Sequence, residues 1–445
     1  MEKYFVGLIV ASGLVIAQDS LTLQEAVSLA SRDNIRAVES RVEVLKAKKK
    51  VWETTAIGFP QVSLAGSYQY FLELPLTPVP ARIFNPLAPE DQYIYMRFGQ
   101  EQKMEGKIQV SQLIFNGSYI VGLQSARTYE RISQLAEKKT VQVLTDAVTE
   151  AYVNLLLTER LISLMDSSIS IAQKQLDELN ALYQQGLIDS FTVVEVAHRI
   201  ELLRLERDNL IQRRVVATQM LNIILGRDPQ NPLFLKSTLE QLLKPFIADS
   251  SFNPEKHIDY LIAQNSVRAS KLQVKYVQSQ ALPTVSAFWM GSKYAYATKD
   301  FDFFNSGKEW QWQSLVGLQI SFPIITGGRR TFQMQQKLYD YNLAVLKAQE
   351  RKKQLAVEFK KLYNDYKYAY KKFIWHNKQT EISLQAMERD FTRLKTGLGS
   401  SSEFLNSQRA YFTELQNYYI SLANLILAQE KLINFKKDNT NEESR

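Results

Sequence analysis

The sequence predicts a mainly α protein with a membrane β part, built from a duplicated helix–strand–strand–helix–helix unit. Three observations carry this expectation. Short motifs recur in the same order 210 to 223 residues apart, two helical stretches run for nearly seventy residues with a narrow apolar seam, and four strand-like segments end in aromatic residues.

Taken in order, Lys3 precedes an apolar run from Tyr4 to Ile16. Residues 1–17 therefore read as a secretory signal peptide cut after Ala17. The competing reading is a buried helix or short anchor, but the run is too short to span a bilayer comfortably, and Gly7 and Gly13 weaken a core helix. The first repeat, 18–225, opens with a helix from Leu23 to about Thr55. Pro60 marks its end, and strands follow at about 61–72 and 104–115. A glycine-containing turn leads into a helix from about Ser118 to Gln185, and a further helix runs to about Leu225. Residues 226–252, with Pro229, Pro232 and Pro245, read as a linker. The second repeat, 253–435, has a helix to about Ala281, strands at about 284–297 and 310–323, a helix from about Arg329 to Thr396 and another to about Phe435. The tail 436–445 is polar and is expected to be poorly ordered.

The duplication rests on four matches in register. Phe59-Pro60-Gln61-Val62-Ser63 recurs as Leu282-Pro283-Thr284-Val285-Ser286, and Ile108-Gln109-Val110-Ser111 as Leu318-Gln319-Ile320-Ser321. Asn116-Gly117-Ser118 recurs as Thr326-Gly327-Gly328, and Gly186-Leu187 as Gly397-Leu398. Within the helices, Val141, Leu144, Val148, Ala151 and Leu155 alternate spacings of three and four, as do Leu355, Phe359, Leu362, Tyr366, Ala369 and Phe373. That spacing keeps one stripe against a partner helix, as in a coiled coil. At 1.5 Å per residue such a helix spans roughly 100 Å, too long to be wrapped inside a globule. It runs beside other helices in a hollow or rod-like array, here a coiled-coil α-barrel.

The strands follow a different rule. Trp310, Trp312, Val316, Leu318, Ile320 and Phe322 share one parity, while Gln311, Gln313, Gly317, Gln319 and Ser321 share the other. Tyr68, Tyr70, Tyr294, Tyr296, Trp310 and Trp312 cluster at the distal strand ends, where aromatics favour a lipid–water boundary, and form the expected girdle. Unpaired backbone groups cost several kcal/mol each in hydrocarbon, so an open sheet edge is not tolerated there. Four strands cannot close around an open lumen. Three copies supply about twelve, enough for a watery pore, so the chain is expected to form a homotrimer with a 12-stranded β-barrel in outer-membrane lipid.

Composition excludes much else. There is no cysteine, which removes disulfides and thiolate chemistry, and His198, His257 and His376 each stand alone in their segments. No phosphate-binding glycine loop, GxSxG or HExxH occurs. No catalytic residue, cofactor or metal site is expected. The net charge of +8 is spread along the helices without a long basic block, so no nucleic-acid partner is expected either.

On these features the chain resembles the TolC family of outer-membrane efflux and secretion channels. The most specific stretch is Leu318-Gln319-Ile320-Ser321-Phe322-Pro323-Ile324-Ile325-Thr326-Gly327-Gly328, although copy one has Leu113 for the proline and Ser118 for the second glycine. The resemblance implies a passive exit duct that joins an inner-membrane pump, through a periplasmic adaptor, to the exterior. It also implies a periplasmic helical barrel with a mixed equatorial region, and a gate at the helical tip near Gly186, Leu187 and Gly397. In such relatives a tyrosine, an arginine and two aspartates near the second turn hold the tip closed. Matched residue by residue, these positions hold Leu394, Gly399, Glu403 and Asn406 here, and near the first turn Thr192, with Glu195 one turn on. Only the acid at 403 survives. Glu403, with Glu195, makes either an acidic ring that favours cations or ordinary solvated helix starts. Tip contacts through Leu187, Leu398 or Phe404 are the apolar alternative. The competing class is a secreted or peripheral coiled-coil scaffold, which accounts for the heptads but not for the strands.

Overall fold

A computed structural model describes residues 20–246, 249–298 and 300–437. The expected signal peptide 1–17 and residues 438–445 of the tail lie outside the described residues. The chain forms two compact units. One comprises Lys46–Arg131 and Ser266–Ala344. The other comprises the chain up to Leu45, Ile132–Asn265 and Val345 onward.

In the helical unit, β1 (Ser20–Leu21) precedes α1 (Leu23–Asp33), whose N-terminus is closed by a reciprocal capping box between Thr22 and Glu25. The single helix expected from Leu23 to Thr55 is two, because Asn34 adopts an extended backbone between α1 and α2 (Ile35–Ala56). Its Oδ1 accepts from the Arg36 amide at 2.9 Å, and its Nδ2 donates to the Ile224 carbonyl at 2.7 Å. A helix start is thereby tied to the end of the helix Ser190–Leu225, whose own cap, Gly226 at φ +76°, lies so close that a Cβ there would sit 2.6 Å from the Asp33 carbonyl oxygen.

The long helices are α3 (Gly117–Gln184), α4 (Ser190–Leu225), α7 (Arg329–Lys395) and α8 (Ser401–Phe435). The segment 226–252 is more than a linker. It holds β6 (Phe234–Leu235), which pairs in parallel with β1, and α5 (Leu239–Leu242). The helix that opens the second repeat is α6 (Ile258–Ser279).

Leu144, Val148 and Leu155 of the predicted α3 seam are buried with Leu221 and Leu225 of α4 and Leu422 and Ile426 of α8. Leu355, Phe359 and Tyr366 of the α7 seam pack on Leu425, Leu432 and Phe435. Each fully buried Leu, Ile or Phe contributes about 1.5–3 kcal/mol, so these seams hold the helices together. Among the described residues no helix is long and apolar enough to cross a membrane.

The other unit carries a four-stranded antiparallel sheet in the order β2 (Gln61–Tyr70), β5 (Gln102–Asn116), β7 (Thr284–Ala297), β8 (Gln311–Ser321). The central β5–β7 pairing joins the two repeats, with Ile108 opposite Gly291, and a register shift falls between Leu113 and Phe115. Within the stretch expected as a loop, β3 (Leu76–Pro80) and β4 (Tyr93–Arg97) form a separate hairpin with Pro78 opposite Tyr95. Three prolines and a long intervening turn hide this hairpin from a simple alternation test.

Candidate functional site: a two-faced sheet and paired helical tips

Register assigns every strand residue to a face. One face carries Val62 and Leu64 of β2, Ile108 and Val110 of β5, Val285 and Trp289 of β7, and Val316, Leu318 and Ile320 of β8. Val62, Leu64, Val316 and Leu318 are each more than 70% exposed. The opposite face carries Ser63 and Ser67, then Lys103, Glu105, Lys107 and Gln109, and Gln313 and Gln319. Lys103 and Glu105 form an ion pair there at 2.8 Å. Apart from Lys293, which pairs with Gly106 and Trp312, the first face is mainly apolar, and the second is mainly polar and charged apart from Phe288, Met290 and Leu315; such a division suits a strand wall with lipid on one side and water on the other. Among the described residues the two outer strands, β2 and β8, each have an edge that no other strand pairs.

The aromatic girdle divides between the faces. Tyr68, Tyr70 and Trp312 lie on the apolar face. Tyr294 and Tyr296, by contrast, fall on the charged face, where the Lys103 ammonium lies 5.5 Å from the Tyr294 ring centroid. Their odd-versus-even parity is set by pairing with Glu105 and Lys103. Trp310 precedes β8 and is half-buried. Its Nε1 donates to the Phe303 carbonyl at 3.2 Å, over a small cluster of Phe303, Ala295 and Ala297. Residues that sequence reasoning missed, Phe301 and Phe304, stand exposed beside it, and Phe301 meets Tyr68 edge-on at 5.5 Å. Two phenylalanines in a loop without alternation gave no period to read. On the apolar face Gly291 lies under Trp312 and Trp289, and a Cβ there would come within 2.7 Å and 3.1 Å of the two rings.

In the helical unit the two hairpin turns are built alike. Gly186 (φ +72°) and Gly397 (φ +73°) take the left-handed conformation that glycine accepts without strain. Leu187 donates back to the Leu182 carbonyl, and Leu398 to the Arg393 carbonyl. Three residues past each glycine stands the next helix cap, Asp189 for α4 and Ser400 for α8. The backbone and hydroxyl of Thr192 hydrogen-bond the Asp189 carboxylate and hold it below the ordinary range.

These tips pack together. Leu179 of α3, Val196 of α4, Met387 and Leu394 of α7, and Phe404 and Leu405 of α8 form one buried cluster, with the Phe391 and Phe404 rings 5.0 Å apart. Leu394, expected at the gate, is thus a core residue. Leu187 and Leu398 instead point outward at 64% and 75% exposure. Gly399 closes the second turn by donating to the Arg393 carbonyl at 3.0 Å. Asn406 and Glu403 are exposed, and Glu195 is half-buried. The Glu403 carboxylate accepts from the Ser400 amide in a capping box, so it has a structural task whatever else it does. Lys395 joins Glu178 across the tip at 2.9 Å. Asp390, also at the tip, is held below the usual carboxylate range by hydrogen bonding from Arg389.

Residues 258–435, spanning α6 to α8, match the model of the family described as outer membrane efflux protein. The fold is that of solved outer-membrane channels. VceC from Vibrio cholerae superposes with a TM-score of 0.70 at 16% identity, covering 92% of this chain and 95% of that one. CusC gives 0.74 at 14%, covering 92% and 91%, and CmeC from Campylobacter jejuni gives 0.73 at 13%, covering 93% and 84%. No curated protein sequence matches the chain. What the chain shares with these channels is the fold, long helices joined to a short-stranded sheet. The family-model match lies within the second repeat and, with the shared fold, agrees with the resemblance to the TolC family read from the sequence.

Proposed function

We propose that this chain is one third of a passive exit duct in the outer membrane, receiving its cargo from an inner-membrane pump through a periplasmic adaptor. The observation that carries the reading is the four-stranded sheet with two free edges and one apolar face. In lipid both edges must be paired. Joining β2 of one copy to β8 of the next closes a ring, and three copies give twelve strands with Lys103, Glu105 and Lys107 turned to water. The energy for transport comes from the pump, so the channel needs no catalytic group.

The helical tips are the gate of this duct. Closed, the α7–α8 tip is held on the α3–α4 tip by the apolar cluster around Phe404 and by the Lys395–Glu178 pair. Opening separates the two. Reconstitution of the purified mature chain in planar bilayers tests the reading. Stepwise conductance from a trimeric species is expected, and a water-soluble monomer that never conducts refutes it.

A further inference from the structure

Both faces of the sheet carry lysine, on different terms. On the charged face Lys103 is matched by Glu105 at 2.8 Å, and in the loop beyond β7 Lys308 is matched by Asp302 at 2.7 Å. On the apolar face Lys293 of β7 is the only charged residue among the paired strand positions. Its ammonium has no hydrogen-bond, ion-pair or ring partner among the described residues. Assembly does not cover it. β7 is an inner strand, and the residues on either side of Lys293, Gly106 of β5 and Trp312 of β8, belong to the same chain. Closing a ring at the unpaired edges of β2 and β8 leaves this surface as it is.

Height along the strand decides what lies against it. α2 leads into the sheet at Gln61, and β5 runs from Asn116 straight into α3, so the helices of this unit join one end of the strands. Lys293 stands toward the other end. Ile320 and Trp312 are eight residues apart on β8, and at 3.4 Å per residue that is about 27 Å of strand. Tilted by about 40°, it rises about 21 Å, most of an apolar band about 25 Å tall. Lys293, opposite Trp312, therefore sits at the border of that band, at the headgroup level of the outer leaflet. The space beside it is open. Across β5 and β2 the same row holds Gly106 and Gly66, and a Cβ on either would meet no atom within 4 Å. The Trp312 ring lies instead over Gly291, in the next row toward the helices.

We infer that Lys293 is the anion-binding residue of a lipid site on the outer wall of the barrel, one per subunit, which takes a phosphate-bearing lipid of the outer leaflet. This rests on the barrel reading above and adds a ligand to it. A bare ammonium among apolar side chains is costly in the middle of a bilayer, and at its border an anionic partner offsets the cost. No carboxylate on this face of the paired strands supplies one. A phosphate does, because the N–H donors of an ammonium match its charged oxygens. The row of Gly66 and Gly106 gives the headgroup room to reach the ammonium. Leu64 and Ile108, in the next row toward the helices, lie against the acyl chains. Trp312 in the same row and Tyr68 in the next outward flank the site at the level where amphipathic rings settle.

Native mass spectrometry of the purified mature channel, released from detergent micelles and titrated with lipid A, reads the site directly. Binding that saturates at one lipid per subunit is expected, and fully dephosphorylated lipid A is expected to bind about tenfold more weakly. Lys293→Gln is expected to lower the affinity for lipid A about tenfold, to that of the dephosphorylated lipid, and Lys293→Arg to keep it. Lys107→Gln, on the water face one residue along β5 from this row, is expected to leave it unchanged. Heat-modifiable gel mobility shows that each variant folds. Unchanged binding in Lys293→Gln, or an equal loss in Lys107→Gln, overturns the site. Displacement of bound lipid A by inorganic phosphate at equal concentration makes it a site for a free anion and overturns the lipid assignment. A trimeric mass without binding that depends on Lys293 leaves the channel reading standing. A monomeric mass that still binds lipid A through Lys293 overturns the trimer and leaves the lipid site.

Discussion

Replacing Phe404 with alanine is the sharpest test of how the tip is held shut. The ring is fully buried among Leu179, Val196, Met387 and Leu394, with Phe391 stacked obliquely at 5.0 Å. Truncation of a buried phenylalanine costs about 3–5 kcal/mol, the transfer of the ring plus the cavity it leaves. The cluster draws on all four long helices. If opening separates the α7–α8 tip from the α3–α4 tip, most of that loss falls on the closed state alone. Even about 3 kcal/mol per subunit shifts the open-to-closed ratio about a hundredfold. The assay is single-channel recording of wild type and Phe404→Ala, with native mass and circular dichroism as controls on assembly. A long-lived open level is expected in the variant at voltages where the wild type is closed. If the variant assembles normally and its open probability is unchanged, the apolar cluster does not hold the gate.

Other consequences are equally direct. Glu403→Gln keeps the capping box, since glutamine serves at that position, but removes the charge. Cation selectivity is expected to fall with no loss of melting temperature, while Ser400→Ala is expected to cost about 1 kcal/mol of stability without a change in selectivity. Asp259 is raised by burial, but hydrogen bonds from Lys139 and Arg351 more than offset this and leave it below the usual carboxylate range. Its contribution to stability is therefore present at neutral pH and lost as pH falls through its lowered pKa. Asp259→Asn is expected to cost about 3–5 kcal/mol at pH 7, read from chemical denaturation. His257, buried between Phe252 and Phe435, is held neutral and pushed down to about 4 by burial. The stability it gives is complete above its ordinary value and declines as pH falls towards 4. His257→Asn is expected to flatten the stability profile between pH 6.5 and 4, where the wild type loses up to about 3 kcal/mol. Gly291→Ala is expected to displace the Trp312 and Trp289 rings and lower the barrel's melting temperature, by about 1–3 kcal/mol of lost stability, measured by heat-modifiable gel mobility.

Much of this architecture was open to reading because period and length are local properties. The seam at Leu144, Val148 and Leu155 and the glycines at 186 and 397 could be placed from spacing alone. β7 spans Thr284–Ala297, and its neighbour β8 lies within the segment expected from alternation. Elements that rely on distant partners were not legible. Asn34 splits the first helix because its side chain reaches Ile224, 190 residues away, and β1 and β6 are two residues each and exist only as a pair. The girdle shows the same limit. An aromatic at a strand end is visible in sequence, but the face it occupies depends on register, and Tyr294 is turned from lipid to the charged face by its pairing with Glu105.

The sequence by itself determined the helical and strand periods, since each follows from the order of apolar and polar residues along one chain. Only the tertiary structure decided which residues meet. It set Phe404 and Leu394 into one cluster, made Glu403 a helix cap, and turned Leu187 and Leu398 outward. The physical reason is that burial and pairing are relations between segments far apart in the chain, which no local pattern encodes.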